Sequence, residues 1–454
     1  MLGDLLGEVL RESGGQELLD DVERLRHAVI AARSVQLTVP GAALAGGGDG
    51  TGLAGGGDGG RAGGGDGPGL AGDEIAALVA SWPLERAELV ARAFTIYFHL
   101  VNLAEERQRV RTLRGSGSAA RPRRESLAAA VAELSREQGP QRLAELVAGL
   151  RVHPVLTAHP TEARRRAVVT ALRRISALLE ALDQVRGTPQ QAETERRLRE
   201  EIDLLWLTAP LRDRAMGPID EVRSVMAVFD ETLFTLAPVV YRHLEAACRD
   251  LPGAGGTGEV RVPAFLRFGS WVGADRDGNP YVTAQVTRET AAIQAEHALL
   301  ALENAATRVG RALTVHADAA PPVPSFTLAL EAAQLAHPEL LADLHARSPR
   351  EPYRAYLLYA AARLRATRLR HADLAYRGCE DFLADLRLVQ ESLAGAGARR
   401  QAAGELQHLI WQAETFGFHG AELEVRQHSA VHSRALREIA GGETVSDETE
   451  EVLA

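Results

Sequence analysis

A chain of 454 residues with 46% hydrophobic content can bury one large core or two to three ordinary domains, which excludes disorder throughout. Its formal net charge of −10 argues against nucleic acid or anionic lipid as a partner and leaves a small molecule as the expected ligand. All 51 strongly basic side chains are arginine, which excludes a P-loop, a pyridoxal Schiff base and a catalytic ammonium.

Any phosphate would therefore be held by guanidinium forks, imidazole or helix amino termini. No run approaches the roughly 18 to 20 uninterrupted apolar residues of a membrane span, and the amino terminus is acidic where a secretory signal is basic. A cytoplasmic location is the expectation. Cys248 and Cys379 are too few for a disulfide framework and have no zinc-type spacing, so they read as ordinary helix-face residues.

In chain order, residues 1–37 carry leucine and valine at spacings of three and four and read as one amphipathic helix or two. Residues 41–72 repeat GGGDG at 46, 55 and 63 and read as a flexible insertion without a core. Calcium-binding nonapeptides use a different glycine and aspartate spacing, so no calcium is assigned there. Helical periodicity returns from Asp73 to Arg114 and closes on RQRVRTLRGSGSAARPRR, read as a solvated loop. Further helices are expected at 162–186, 191–209, 220–250, 284–317, 325–346, 352–369 and 372–394. The resulting division is 1–40 amino-terminal helices, 41–72 glycine-rich insertion and 73–454 main body.

Three segments break the helical pattern: VHPVLTAHPTE from 152, VRVPAFLRFGSWVGADRDGNPYVT from 260 and FGFHGAELEVRQHS from 416. Each holds a short apolar run fit for a buried strand, at 155–157, 264–268 and 423–425, followed at once by reactive or charged heads. In barrels of alternating strand and helix, chemistry collects at the carboxyl ends of strands, so three such ends suggest one shared site.

In the first segment His159 follows the strand, and Pro160 and Thr161 introduce a helix whose amino terminus favours an anion. Arg164, Arg165 and Arg166 crowd its start, where cations oppose the helix dipole; an external anion or a solvent-facing role both fit. In the second, Trp271 precedes a tight loop of Asp275, Arg276, Asp277, Gly278 and Asn279. Its two carboxylates can bind a metal or brace Arg276, and with no third ligand in view no metal site is assigned. In the third, Arg426 ends a strand, where a buried lone guanidinium needs a phosphate or a carboxylate, Glu422 and Glu424 being internal alternatives along with Gln427. His428 and His432 read as peripheral.

Together, VLTAHPTEARRR, FGSWVGADRDGNP and FGFHGAELEVRQHS resemble phosphoenolpyruvate carboxylase in order and separation. Weaker similarity runs through ARAFTIYFHLVNLAEERQRVR, LLWLTAPLRDRAMGPIDEVRSVMAVFDETLF and EPYRAYLLYAAARLRATR. The resemblance implies a mainly helical fold around a β/α barrel, of which this chain supplies an incomplete part. It implies carboxylation of phosphoenolpyruvate by bicarbonate, with magnesium, through carboxyphosphate, enolate and CO2 to oxaloacetate and phosphate. His159 is then the general base, Arg426 the holder of phosphate oxygens and Trp271 a wall of a dry pocket, while Arg165 and Arg166 match an anionic-effector site.

Family members are considerably longer, and the residues expected to bind magnesium, with a lysine and an arginine loop, belong to their carboxyl-terminal half. The chain is therefore expected to be an amino-terminal half, inactive alone, its strand edges open. Assembly is expected as a homo-oligomer, a homotetramer in the family, or with a complementary carboxyl-terminal half. Ala274 stands where many members have glycine, and Gly420 and Ala421 stand where larger apolar residues are common. Two rivals are a phosphohistidine carrier using His159 and an inactive helical body that binds partners.

Overall fold

The structure is a computed structural model and describes residues 1–38, 70–115, 123–157, 165–209, 216–249, 262–277, 279–441, 445–447 and 449–450. Most of the glycine-rich stretch 41–72 lies outside the described residues. The chain divides into two compact units, Met1–Ser116 with Ala163–Arg214, and Gly117–Glu162 with Ala215–Ala454.

The first unit is helical: α1 (Leu2–Thr38), α2 (Leu70–Ala80), α3 (Leu84–Gly115), and, after the excursion into the second unit, α5 (Arg166–Val185) and α6 (Gln190–Leu207). The leucine spacing of the amino terminus indeed gives two helical pieces, because Gly15 takes a φ of 79° that breaks α1. Leu6, Leu10, Leu18, Ile96, Leu100, Ile175, Leu198 and Ile202 form one buried cluster from the apolar stripes of α1, α3, α5 and α6. The arginine-rich end of α3, expected as loop, stays helical through Gly115. There Arg107 donates to Asp183 at 2.7 Å, Arg111 pairs with the same carboxylate, and Arg114 reaches Glu180 at 3.1 Å. The run is thus helical where a loop was expected, while Arg111 and Arg114 stay exposed to solvent beside carboxylates of α5.

The second unit begins with α4 (Leu127–Ala148), which Ser126 caps by accepting from the Ala129 amide at 3.2 Å. Strand β1 (Val155–Leu156) follows, then α7 (Pro218–Val228), a π-helical turn (Phe229–Leu233), α8 (Phe234–Arg249) and strand β2 (Gly269–Ser270). The remainder is α9 (Ala284–Ala312), α10 (Pro324–Ala336), α11 (Pro338–Arg347), α12 (Pro352–Arg368), α13 (Cys379–Gly395), α14 (Arg399–Ala402), α15 (Glu405–Phe416), strand β3 (Glu422–Leu423) and α16 (Ser429–Gly441). By length and composition Pro218–Arg249 can cross a membrane. Here it runs through a π turn and contains Pro238, and Val222, Met226, Phe229, Ala237, Tyr241 and Leu244 bury one face of it in the unit's core.

The three strands form one parallel sheet in the order β1-β2-β3, with Val155 beside Gly269 and Gly269 beside Glu422. Isolated parallel bridges extend it, Val152 with Leu266 before the strands and Asp275 with Arg426 after them. The second strand lies just past the apolar run that suggested it; the run itself joins the sheet through the Val152–Leu266 bridge, and Tyr241 and Trp411 meet this segment from the core side. The Leu266 amide donates to the Tyr241 hydroxyl at 3.2 Å, and Trp411 Nε1 donates to the Val262 carbonyl at 3.1 Å.

Strand alternation sorts the sheet into two faces. Leu156, Phe268 and Ala421 enter the apolar core, where the Phe268 and Phe416 rings stack at 5.4 Å and Phe229 meets both edge-on. The opposite face carries His153, Val155, Gly269, Trp271, Glu422 and Glu424, so a polar surface sits on an apolar floor.

Candidate functional site

All three strands run the same way, so their carboxyl ends share one edge of the sheet. The Trp271 amide donates to the Leu156 carbonyl at 2.9 Å, the Glu424 amide to Ser270 at 3.1 Å, and the Arg426 amide to Ala274 at 3.1 Å. The Arg276 amide returns a bond to the Arg426 carbonyl at 2.8 Å, which ties the second loop to the third strand end. These ladder bonds bring motifs more than a hundred residues apart to one place.

Trp271 and Arg426 meet there directly. The guanidinium carbon lies 3.8 Å from the centre of the indole, a face-on cation–π contact. Indole Nε1 donates to Glu424 Oε2 at 2.7 Å, and Arg426 Nη1 donates to Asp275 Oδ2 at 3.3 Å. The side chains of Arg426 and Asp275 are 42% and 30% exposed, so this ion pair is a weak tether that an external anion can compete with. What results is a planar cation, braced below by an aromatic face, with its fork partly open to solvent.

The loop after Trp271 turns sharply, the Asp275 amide donating back to the Trp271 carbonyl at 2.8 Å. Gly273 takes φ 80°, and a Cβ there would lie 2.1 Å from Thr290 Oγ1 of α9, so only glycine fits. Ala274, the departure noted in the sequence, is fully buried and has no positive φ, so its methyl group is accommodated. Gly420 does need its φ of 79° to turn the chain into β3. Asp275 Oδ1 accepts from the Asp277 amide at 3.3 Å and Asn279 Oδ1 from the Tyr281 amide at 3.1 Å, two side-chain turns that shape the loop. Thr283 then caps α9 by accepting from the Val286 amide at 3.3 Å.

Of the other sequence candidates, His159, Arg164 and Gly278 lie outside the described residues. Arg165 is exposed, with extended backbone at the start of α5, whose first residue is Arg166. The helix thus starts later than the pattern implied, with Arg165 at its N-cap and Arg166 in its first turn, so both stand at the end where the dipole disfavours cations. Arg276 is buried and Asp277 exposed. Burial pushes the Cys379 thiol up to about 12, and Cys248 is raised by the same cause, so neither is a reactive thiolate.

Two contacts were not read from the sequence. Asp275 serves Arg426, where the sequence offered Glu422, Glu424 and Gln427 as internal partners. Glu424 serves Trp271, and its place two residues before Arg426, in the segment expected as a strand, was the available signal. At the amino-terminal end of this face His153 Nε2 lies 3.8 Å from Glu422 Oε2, and burial lowers the His419 pKa against the opposing pull of Glu422.

Such an edge defines a parallel βα body whose strand ends present a candidate anion site. The family model described as phosphoenolpyruvate carboxylase matches residues 65–451, and the chain belongs to that family. Phosphoenolpyruvate carboxylases of Roseiflexus castenholzii, Rhodopseudomonas palustris and Nocardia farcinica are 36%, 31% and 32% identical to it over 96%, 97% and 96% of this chain. These matches cover 45%, 44% and 44% of the relatives, so the chain spans less than half the length of each.

Proposed function

We propose that this chain supplies the amino-terminal part of a phosphoenolpyruvate carboxylase, acting with the portion of the family that it does not span. The observation that carries the reading is the Arg426 guanidinium laid on the Trp271 indole, 3.8 Å from its centre, at the shared carboxyl edge of three parallel strands. In this reading the strands are part of a β/α barrel.

Arg426 would hold phosphate oxygens of phosphoenolpyruvate as charge builds on them. Trp271 would exclude water beside the enolate, so that CO2 is captured before it escapes. His159 follows β1 by three residues in the sequence and would take the carboxyphosphate proton, a task suited to a group that titrates near neutral pH. Bicarbonate is the second substrate and oxaloacetate and phosphate the products. The family reaction uses magnesium, but among the described residues no group of three or more His, Cys, Asp or Glu side chains is placed to hold a metal ion. None of the roles above passes through the metal. A homo-oligomeric assembly, a cytoplasmic location and an effector role for Arg165 and Arg166 belong to the same reading.

The test mixes this chain with a carboxyl-terminal portion of a relative and follows oxaloacetate from phosphoenolpyruvate and bicarbonate. The mixture should form a complex and make oxaloacetate, and His159→Asn should abolish the product. No complex and no oxaloacetate would reject the reading, and labelled phosphate retained on His159 would point to a phosphohistidine carrier instead.

A further inference from the structure

We infer that Glu424 is a positioning residue: its carboxylate holds the Trp271 indole in the plane on which the Arg426 guanidinium lies, and so fixes where that guanidinium meets an anion. The anion-binding half of this inference rests on the function proposed above; the positioning half does not.

The indole has one donor, Nε1–H, and Glu424 Oε2 takes it at 2.7 Å. That bond fixes the ring at its edge, while Arg426 loads it on its face at 3.8 Å. Glu424 and Arg426 lie two residues apart in the segment that follows β3, so a single backbone segment supplies both contacts. The Glu424 amide is itself anchored on the Ser270 carbonyl at 3.1 Å, one residue before Trp271.

Room for the carboxylate is made by Gly269. A Cβ built there would lie 3.1 Å from Glu424 Oε1 and 2.8 Å from His153 Nε2, so any side chain at this position would displace one or the other. The glycine has no positive φ, which means that space and not backbone strain is what the position requires. An anionic acceptor at the ring edge also enriches the π face electrostatically, which strengthens its attraction for the guanidinium above it. Asp275 contributes the other tether, at 3.3 Å, from the second loop. The guanidinium is thus set by two carboxylates of different kinds: one acts on it directly, the other through the indole.

The test uses the full chain labelled with 15N at its indole and guanidine nitrogens, without phosphoenolpyruvate. The Trp271 signal is assigned by its loss in Trp271→Phe and the Arg426 Nε–H signal by its loss in Arg426→Lys. In wild type the Arg426 signal should carry the ring-current displacement of a group over an indole face. Glu424→Ala should lose that displacement and move the Trp271 signal away from its hydrogen-bonded position. Glu424→Gln, which keeps an acceptor at the same reach, should retain both. Gly269→Ala, which crowds the carboxylate from behind, should mimic Glu424→Ala while the thermal midpoint of Glu424→Gln confirms an intact fold. An Arg426 signal unmoved in Glu424→Ala, or lost equally in Glu424→Gln, overturns the positioning role. Calorimetry with phosphoenolpyruvate then follows on the same variants. Binding, measured with the carboxyl-terminal portion of a relative present, that is weaker in Glu424→Ala and restored in Glu424→Gln supports the anion-binding half, equal binding in both overturns it, and no binding by wild type in that mixture rejects the proposed function while leaving the positioning result intact.

Discussion

Replacing Arg426 by alanine separates a structural guanidinium from a ligand-binding one. In the ligand-free chain Arg426 is held by two contacts, the Trp271 face at 3.8 Å and Asp275 at 3.3 Å. A cation–π contact at a half-exposed site is worth about 0.5–2 kcal/mol. An ion pair this open to water adds about 1 kcal/mol at most. Arg426→Ala should therefore lower the unfolding free energy by no more than about 3 kcal/mol and leave a cooperative denaturant transition. Loss of a charge-assisted hydrogen bond to a phosphate removes about 1.5–3 kcal/mol of binding, roughly a 10- to 150-fold weaker Kd for phosphoenolpyruvate by calorimetry. Arg426→Lys should fall between, since it keeps the charge and loses the flat fork that stacks on the indole. If Arg426→Ala fails to fold, the guanidinium is a structural strut; if it folds and binds phosphoenolpyruvate as wild type does, Arg426 is no substrate ligand.

Two further perturbations probe the frame that carries the site. Pro238 has no N–H, and the Phe234 carbonyl one turn earlier is instead met by Gln412 Nε2 at 2.9 Å. Gln412→Leu should cost about 1–3 kcal/mol in a denaturant melt. The loss should shrink in a Pro238→Ala background, where an amide can reach that carbonyl; an equal loss in both backgrounds would refute the assignment. The second concerns pH. Burial first, and Arg242 next, lower the His408 pKa below the ordinary 6.5, and Arg242 Nε donates to its Nε2 at 3.0 Å. The unfolded chain therefore binds a proton more readily, so this histidine's contribution is complete above 6.5 and is lost as pH falls through the folded value. The melting midpoint should drop as pH is lowered from about 7 to about 5, less steeply in His408→Gln, and parallel slopes would contradict the sign.

Helices were the most legible part of the sequence, since leucine and alanine at helical spacing mark a buried stripe. Their ends were less so. The single helix expected over 325–346 is two, because Pro338 follows His337 and pushes it to φ −138°, out of the helical region. The last helix expected before the third motif begins only at Cys379, after Gly378. The apolar runs place the strands within a few residues, but the register pairs Val155 with Gly269 and Gly269 with Glu422, which no local pattern reveals. The same limit applies at the site. Trp271 and Arg426 were recognisable as chemistry at strand ends, whereas Asp275 as the partner of Arg426 depends on a parallel pairing across 151 residues. A parallel sheet joins residues distant in sequence, so a single sequence shows which groups are available and leaves their pairing to the tertiary structure.

Under the proposed function, the ends of β1, β2 and β3 would serve one site for a three-carbon phosphate ester. The most direct measurement titrates phosphoenolpyruvate into the chain while following the Trp271 indole N–H and the His159 imidazole C–H signals by NMR. Both signals should move, with one Kd describing the two curves. A His159 signal that stays fixed while Trp271 saturates, or two curves with unrelated midpoints, would contradict it.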